Sequence, residues 1–254
     1  MAKSRLIIDG GSGLRALYET LIAAEPEISE FHIYFTHFHW DHLLGLPFFP
    51  PMYLKGKTVH FYAVHDNLEA SLRTLFCKPN FPVPYEVVRN QVRLHRLEPR
   101  KPMQIGELKV TPYQLDHPDP CWGPRVEAGG KALAWAVDTE CTRLTHEEMG
   151  QDSKLYQGVN TLVFDAQYSF GEALEKINWG HASGPMGIDL ALREGVKQVL
   201  FVHHDPAASD KTIREAEEQT RVYFEEILRA RRNAGLKTAD LNWRFAFEGE
   251  VIEI

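Results

Sequence analysis

A short run of histidines and one aspartate, Thr36-His37-Phe38-His39-Trp40-Asp41-His42, constrains this chain more than any other feature of its sequence. It directly follows the apolar run Ile33-Tyr34-Phe35, which predicts a buried strand. Residues two apart on an extended chain point the same way, so His37 and His39 can bind one cation while Asp41 and His42 reach a second. A loop merely decorated with polar side chains is the alternative, but neutral imidazoles and a carboxylate packed this tightly suit a metal far better. The run therefore predicts a metal site at the end of a strand.

Further apolar runs also stop at a histidine or an aspartate. They are Val110 to His117, Ala132 to Asp138 and Val199 to His203. A polar residue that ends a strand is often only a turn former, so each of these residues taken singly leaves both interpretations open. Taken together, the three strand ends favour additional metal ligands.

Short apolar runs alternate with helical patterns along the whole chain, which predicts a mixed α/β fold. With 254 residues and no break in composition, we expect a single domain over residues 1–254. The predicted strands are Arg5–Asp9, His32–Thr36, Thr58–Ala63, Leu108–Leu115, Ala132–Asp138, Thr161–Asp165, Gln198–His203 and Arg244–Phe247. The predicted helices are Gly13–Ala24, His65–Phe76, Pro185–Gly195 and Lys211–Arg232, and the last of these has one apolar face that predicts packing on a sheet.

Charge and cysteine content exclude several classes of protein. The formal net charge is −7, so a long nucleic acid would be repelled unless a local basic patch overrode it. The three cysteines form no CxxC pair, which argues against a disulfide framework or a thiolate zinc site and fits a reducing cytoplasm. The sequence has neither a signal peptide nor 18 consecutive apolar residues, so we expect no membrane insertion.

The complete His-x-His-x-Asp-His motif resembles that of the metallo-β-lactamase superfamily, and the resemblance covers nearly the whole chain. It implies an α/β fold in the form of a four-layer αββα sandwich that holds two divalent metal ions, zinc by default, with manganese or iron compatible. It further implies a role for each motif residue: His37, His39 and His117 would bind the first metal, Asp41, His42 and His203 the second, and Asp138 would bridge them. Asp9, in Ile8-Asp9-Gly10, matches an acidic residue that orients ligand histidines, although an Asp-Gly turn is the alternative. His204 is an ambiguous neighbour of His203, which is favoured because it follows the strand directly.

The segment Gly180-His181-Ala182-Ser183-Gly184 is similar to a Gly-His-Ser motif in the phosphodiesterase branch of this superfamily, which includes tRNA 3′-processing nucleases and cyclic ribose-phosphate phosphodiesterases. Ala182-Ser183 stands where that branch usually has Ser-Thr. The resemblance implies that a hydroxide shared by the metals attacks, with Asp41 and Asp138 as charge partners, and that His181 protonates the leaving oxygen. A structural or substrate-orienting role for His181 is the alternative.

Asp138 follows His117 by only 21 residues, whereas tRNA-processing relatives insert a long basic arm between the corresponding motifs. The sequence looks like the branch described as cyclic-nucleotide phosphodiesterase-like, which implies a small phosphodiester substrate such as a cyclic nucleotide or a cyclic sugar phosphate. On the short loop after His117, Trp122 could stack on a base and Arg125 could pair with a phosphate, or both could be surface residues without a role.

Two other functional classes stay open at this point: a thioester or lactone hydrolase on the same metal core, and a non-catalytic metal-stabilised signalling module. Relatives in this family begin with a strand and a Gly-rich turn some tens of residues before the strand at Asp9, while this chain starts almost on it. We therefore expect an exposed sheet edge and, through it, a homodimer.

Overall fold

The structure is a computed structural model that describes residues 5–236 and 240–254. Its contacts divide the chain into two compact units, Met1–Leu108 and Lys109–Ile254. Each unit has helices and a hydrophobic core of its own, and the four-stranded sheet lies wholly within the first unit. The single domain expected from the sequence stays a prediction, and the units are described one at a time.

The first unit contains a four-stranded parallel sheet in the order β1-β2-β3-β4. Its strands are β1 (Ile7–Ile8), β2 (Glu30–Tyr34), β3 (Thr58–Ala63) and β4 (Val92–Arg96), and its helices are α1 (Leu14–Ala24), α2 (Leu68–Leu75) and α3 (Tyr85–Val88). One face of the sheet packs on the helices, because Phe31, Ile33 and Phe61 share a core with Leu14 and Leu72. The loops that follow β1 and β2 lie at the carboxyl edge of this parallel sheet, where polar strand ends meet.

The second sheet has seven strands in the order β11-β10-β9-β8-β7-β6-β5. Its strands are β5 (Met103–Ile105), β6 (Leu108–Gln114), β7 (Trp122–Ala128), β8 (Lys131–Ala136), β9 (Thr161–Asp165), β10 (Gln198–Val202) and β11 (Asn242–Phe245). From β6 to β8 the neighbouring strands are antiparallel, and from β8 to β11 they are parallel. The parallel half therefore brings the carboxyl ends of β8, β9 and β10 to the same edge.

The helices of the second unit are α4 (His146–Met149), α5 (Phe170–Glu175), α6 (Gly184–Glu194) and α7 (Asp210–Asn233). Ile188 of α6 is buried in the same core as Leu162 and Phe201 of the sheet, and Phe224 and Ile227 of α7 pack against it. Helix α6 ends at Gly195, whose φ of 71° is the left-handed conformation expected just past a helix end. The apolar face predicted for the last helix thus packs on a sheet.

Each strand and helix predicted from the sequence is found, with ends that differ by a few residues. The structure adds β4, β5, β7 and the short helices α3, α4 and α5, which the sequence patterns did not indicate. Strand β1 is an edge strand of the four-stranded sheet. The homodimer expected through this edge stays a prediction. Among the described residues, no helix has both the length and the hydropathy to cross a bilayer.

Candidate metal-binding and catalytic site

In the first unit, the loop that follows β2 gathers the motif histidines. His37 is buried, with 1% of its surface exposed, and its ring centroid lies 4.4 Å from that of His39 and 4.3 Å from that of His42. Asp41, which is exposed, places a carboxylate oxygen 3.0 Å from Nε2 of His42. The three imidazoles and the carboxylate that the sequence predicts as ligands are therefore neighbours within this unit.

Asp9 fixes the orientation of His42 from the loop that follows β1. Its Oδ2 accepts hydrogen bonds from the Thr36 hydroxyl at 2.9 Å and from Nδ1 of His42 at 2.8 Å, and its Oδ1 accepts one from the Thr36 amide at 2.8 Å. With Nδ1 of His42 donating to Asp9, Nε2 keeps its lone pair for a metal. This arrangement matches the orienting role that the resemblance implies for Asp9.

The loops after β1 and β2 approach each other closely because glycines line the contact. The Gly10 amide donates to the His42 carbonyl at 2.7 Å, and the Gly45 amide donates to the Gly10 carbonyl at 2.9 Å. A Cβ on Gly11 would lie 2.5 Å from the Asp41 carbonyl oxygen, so a side chain there would push the two loops apart. The Asp9-Gly10-Gly11 sequence thus serves the packing of the metal-binding loop as well as a turn.

In the second unit, the ends of β8, β9 and β10 bring four polar side chains together: Asp138, Asp165, His181 and His203. One potential ligand atom from each lies within 4.8 Å of the others. Asp138, with 1% of its surface exposed, places Oδ1 3.1 Å from Nε2 of His203. Donor atoms at this separation can contact the same cation, as expected of a bridging aspartate and its neighbouring ligand.

Asp165 is a site residue that the sequence analysis did not single out. Its side chain is fully buried and accepts hydrogen bonds from the Asp138 amide at 3.0 Å, from the Ala182 amide at 3.1 Å and from Nδ1 of His181 at 2.9 Å. A buried carboxylate with several donors is strongly fixed in place, so it fixes its partners in turn. The signal was available, because β9 is another apolar run that stops at an aspartate.

His181 lies just before helix α6 with its Nδ1 held by Asp165. Its ring centroid is 5.2 Å from that of His203 and 5.5 Å from that of Tyr168. Because Nδ1 donates to a carboxylate, Nε2 is the nitrogen available to exchange a proton with a substrate. The structure therefore places His181 beside the candidate ligands His203 and Asp138, as the sequence predicts.

His117 follows β6 and lies against the loop that carries His181. Its Nδ1 lies 2.9 Å from the carbonyl oxygen of Asp119 and 3.1 Å from the amide nitrogen of the same residue, so the backbone of Asp119 holds the ring in place. Gly180 packs so closely on this ring that a Cβ at position 180 would lie 2.6 Å from Nε2 of His117. The backbone before His181 thus rests directly on the imidazole of His117.

The two adjacent histidines after β10 have different surroundings. His203 has a φ of 62° and points its Nε2 at Asp138. His204 stacks on Phe245 with parallel rings 5.3 Å apart, and burial lowers its pKa below the usual value of 6.5. The geometry favours His203 as the ligand and gives His204 a packing role.

The two residues expected to touch substrate lie on β7. The guanidinium of Arg125 donates at 2.9 Å to the carbonyl oxygens of Lys154 and Gln157, and it lies 3.5 Å from a carboxylate oxygen of Glu127. These bonds tie β7 to the segment after α4, so Arg125 has a structural role and its guanidinium is already engaged by the protein. Trp122 is the first residue of the strand and is half-buried.

The donor set suits first-row divalent metals. Each unit offers imidazole nitrogens together with carboxylates that bring negative charge, and Asp9 and Asp165 set the tautomers of His42 and His181. Histidine and carboxylate ligands with no thiolate are typical of zinc, manganese and iron sites. The residues present therefore fit the two metal ions that the resemblance implies.

Comparisons with known proteins agree with this description. Ribonuclease BN of Cronobacter sakazakii (strain ATCC BAA-894) is 28% identical over 135 residues, which cover 49% of this chain and 40% of that protein. The crystal structure of unliganded yeast PDE1 superposes with a TM-score of 0.69 at 18% identity, covering 98% of this chain and 91% of that one. The metallo-β-lactamase fold protein YhfI from Bacillus subtilis superposes with a TM-score of 0.62 at 14% identity, covering 98% and 87%.

The chain spans less than half the length of the ribonuclease it matches, so this match does not assign the activity of that protein to the chain. The structural neighbours cover nearly the whole chain and share its arrangement of sheets and helices, which shows the α/β fold of the metallo-β-lactamase type. The sequence also matches the family described as "Beta-lactamase superfamily domain" over residues 4–204. This match covers most of the chain, and the chain belongs to that superfamily.

Proposed function

We propose that this protein is a metal-dependent hydrolase that cleaves a small phosphodiester. The observation that carries the proposal is the group formed by the buried Asp138 and Asp165 with the partly buried His181 and His203, which combines candidate metal ligands with an oriented histidine. Metal ligands alone would be compatible with any metal-binding protein. A histidine that a carboxylate holds next to those ligands is, in addition, the arrangement that proton transfer requires. A purely signalling module would have no use for such a histidine.

The proposed ligands are those that the family resemblance implies. His37, His39 and His117 would hold one divalent ion, and Asp41, His42 and His203 would hold the other, with Asp138 shared between them. Zinc is the first candidate because the set is rich in histidine, with manganese or iron as alternatives. When bound, such a pair supplies Lewis acidity, an activated water and neutralisation of phosphate charge.

The chain's own residues would then perform two tasks. Asp165 holds Nδ1 of His181 at 2.9 Å, so that the proton on Nε2 is directed away from the carboxylate and can be given to the leaving oxygen. An alkoxide is a poor leaving group and gains most from this proton. His181 is therefore proposed as the general acid, and Asp165 as the residue that positions it.

A small substrate is favoured over a long nucleic acid. The 21-residue interval from His117 to Asp138 is filled by strands β7 and β8, with no room for a basic arm. The formal charge of −7 would also repel a polyanion. The similarity to a ribonuclease and to yeast PDE1 supports phosphodiester chemistry, and cyclic nucleotides or cyclic sugar phosphates are the proposed substrates.

The test uses metal-reconstituted protein and substrates that differ in their leaving group. We expect turnover of bis-p-nitrophenyl phosphate, whose phenolate departs without a proton, and of a cyclic nucleotide, whose alkoxide needs one. His181→Ala should keep its metal content and lose roughly 100-fold or more on the cyclic nucleotide, with a smaller loss on the phenyl ester. Equal losses on both substrates would remove the proton-donor assignment.

A thioester and lactone panel completes this test. Acyl transfer from a thiolate needs no strong acid, so His181→Ala should affect a thioesterase far less than a phosphodiesterase. Hydrolysis confined to thioesters or lactones would replace the proposed reaction. Metal-loaded protein with no turnover of any of these substrates would favour a non-catalytic role.

A further inference from the structure

An exposed tryptophan precedes the proposed acid by two residues. Trp179 is 64% exposed, and its amide donates to the Lys176 carbonyl at 3.2 Å in the turn that leads from α5 to His181. Trp179 is the most exposed of the five tryptophans, and an aromatic ring of this size supplies a large contact area when a partner covers it.

Both residues that follow Trp179 are fixed by contacts with neighbouring side chains. Gly180 packs directly on the ring of His117, and its amide donates to Oε1 of Glu140 at 2.9 Å. The next residue is His181, whose Nδ1 is held by Asp165. Trp179 therefore directly precedes two residues whose positions are fixed at the proposed site.

A cation lies beside this ring. Nζ of Lys176 is 4.0 Å from the ring centroid of Tyr168 and 5.9 Å from that of Trp179. Tyr168 in turn contacts His181, with ring centroids 5.5 Å apart. The ammonium also lies 3.9 Å from a carboxylate oxygen of Glu172, and it is thus close to a ring that borders the proposed acid and to the ring of Trp179.

We propose that Trp179 is a specificity-determining residue that stacks on the planar ring of the substrate and so selects phosphate esters that carry an aromatic base over cyclic sugar phosphates without one. The inference rests on the proposed function for the position of the phosphate. The inference goes beyond that function because it selects one of the two proposed substrate classes, cyclic nucleotides, over the other, cyclic sugar phosphates. Stacking on an exposed indole suits this choice, since every nucleobase has a flat face and a sugar has none.

The test measures binding to metal-loaded protein by titration calorimetry, using AMP and ribose 5-phosphate as probes. The two share a phosphate and a ribose and differ in the adenine ring. We expect AMP to bind roughly 10- to 100-fold more tightly, the range expected for one stacked base. Trp179→Ala should abolish the difference, and Trp179→Phe should retain most of it.

Ile177 provides a matched control, because it is 63% exposed on the same segment and has no ring to stack. Ile177→Ala should preserve the preference for AMP. Equal affinities of the wild type for both probes, or an unchanged preference in Trp179→Ala, would overturn the proposal. Because the readout is binding, it remains decisive even if turnover fails and the proposed function falls.

A second copy of this chain could instead cover the same apolar segment. In that case Trp179→Ala and Ile177→Ala would both convert a dimeric wild type into monomers in sedimentation velocity, and neither would change the ratio of the two affinities. That combination would also overturn the proposal. A monomeric wild type whose preference for AMP depends on Trp179 alone would support it.

Discussion

Three polar residues at strand ends share a backbone conformation that side chains rarely adopt. Asp9, Asp138 and His203 have φ values of 61°, 62° and 62°, and each directly or closely follows a strand of its sheet. Left-handed conformations of this kind cost on the order of 1–3 kcal/mol each outside glycine. The surrounding hydrogen bonds must offset this cost, and residues held this way are concentrated at functional sites.

Replacing one carboxylate oxygen of Asp9 by an amide nitrogen should be enough to weaken metal binding at the proposed site. Asparagine tolerates the same backbone conformation, so Asp9→Asn keeps the turn. Its amide group, however, would donate to Nδ1 of His42, which would force the proton onto Nε2 and block that nitrogen as a ligand. We expect zinc affinity to fall roughly 10- to 100-fold, measured by competition with a chelator.

The control for this variant is Glu19→Gln, the same chemical change at an exposed position of α1. It should leave the zinc affinity unchanged. If Asp9→Asn also binds zinc with wild-type affinity, the proposed orientation of His42 by Asp9 is wrong.

Single residues differ in how readily the sequence reveals them. His37, His39, Asp41 and His42 stand in one motif, and their spacing alone predicts that their side chains lie together. Asp165 is equally central and also ends an apolar strand, but a single aspartate at a strand end is typical of a turn as well, and its four hydrogen-bond donors are what distinguish it. The sequence could not show that the guanidinium of Arg125 binds backbone carbonyls 29 and 32 residues away.

The turn before helix α6 makes a prediction at the scale of elements. Gly180 has a φ of 90° and lies against His117, so Gly180→Ala adds both backbone strain and a steric conflict with the ring. Gly195 has a φ of 71° with open space around it, so Gly195→Ala adds the strain alone. Each should cost about 1 kcal/mol of stability through the backbone, measured by urea denaturation.

Only Gly180→Ala should also lose activity, because the conflict displaces His117 or the segment that carries His181. We expect a fall of at least about tenfold in kcat/KM on a phosphodiester, since small misplacements of catalytic groups have large effects on rate. Wild-type activity in Gly180→Ala at wild-type metal content would show that this close contact does not position the site.

The face of β2, β3 and β4 opposite the first unit's helices carries a stack of histidines. His32 stacks on His60 with centroids 4.7 Å apart, and Nδ1 of His60 lies 2.9 Å from Nε2 of His95. Burial is the largest effect and lowers the pKa of all three histidines, and a neighbouring histidine lowers each of them further. Glu30 raises the pKa of His32 and His60, and Arg93 lowers that of His60. The native state therefore favours neutral rings.

This stack should make the protein sensitive to acid. Above the ordinary histidine pKa of 6.5 the rings are neutral in both states, so their contribution to stability is fully present. As the pH falls below 6.5 the unfolded chain takes up protons first, and stability is lost. The urea midpoint of metal-free protein should drop between pH 7.5 and 5.5, and His60→Gln should reduce that drop. An equal drop in both proteins would contradict the assignment to the stack.

The elements that the sequence missed are those whose patterns are weak in themselves. Strand β7 reads Trp-Gly-Pro-Arg-Val-Glu-Ala, in which glycine and proline conceal the alternation that its pairing with β6 and β8 restores. Strand β5 has only three residues. Helix α5 was detectable in principle, because Ser169 and Glu172 form a capping box at its start.

At the scale of the whole molecule, the chain carries a net negative charge and its proposed substrate is negatively charged as well. The two conditions are compatible if the metal ions supply the positive charge locally, since two dications outweigh the carboxylates of Asp41 and Asp138. Electrostatic attraction would then depend on metal loading and not on a basic surface. The same ions should contribute to the stability of the folded chain, because an unfolded chain offers no preformed site.

Metal removal should therefore lower the thermal stability of the whole protein. At free zinc about 100 times its dissociation constant, each ion stabilises the native state by about 2.7 kcal/mol. For a chain of this size, two such ions correspond to a loss of roughly 10 to 20 °C in Tm when a chelator strips them. Asp138→Ala, which removes the carboxylate proposed to be shared by both ions, should unfold at nearly the same temperature with and without chelator. A chelator effect of equal size in the variant and the wild type would mean that the stabilising metal binds elsewhere.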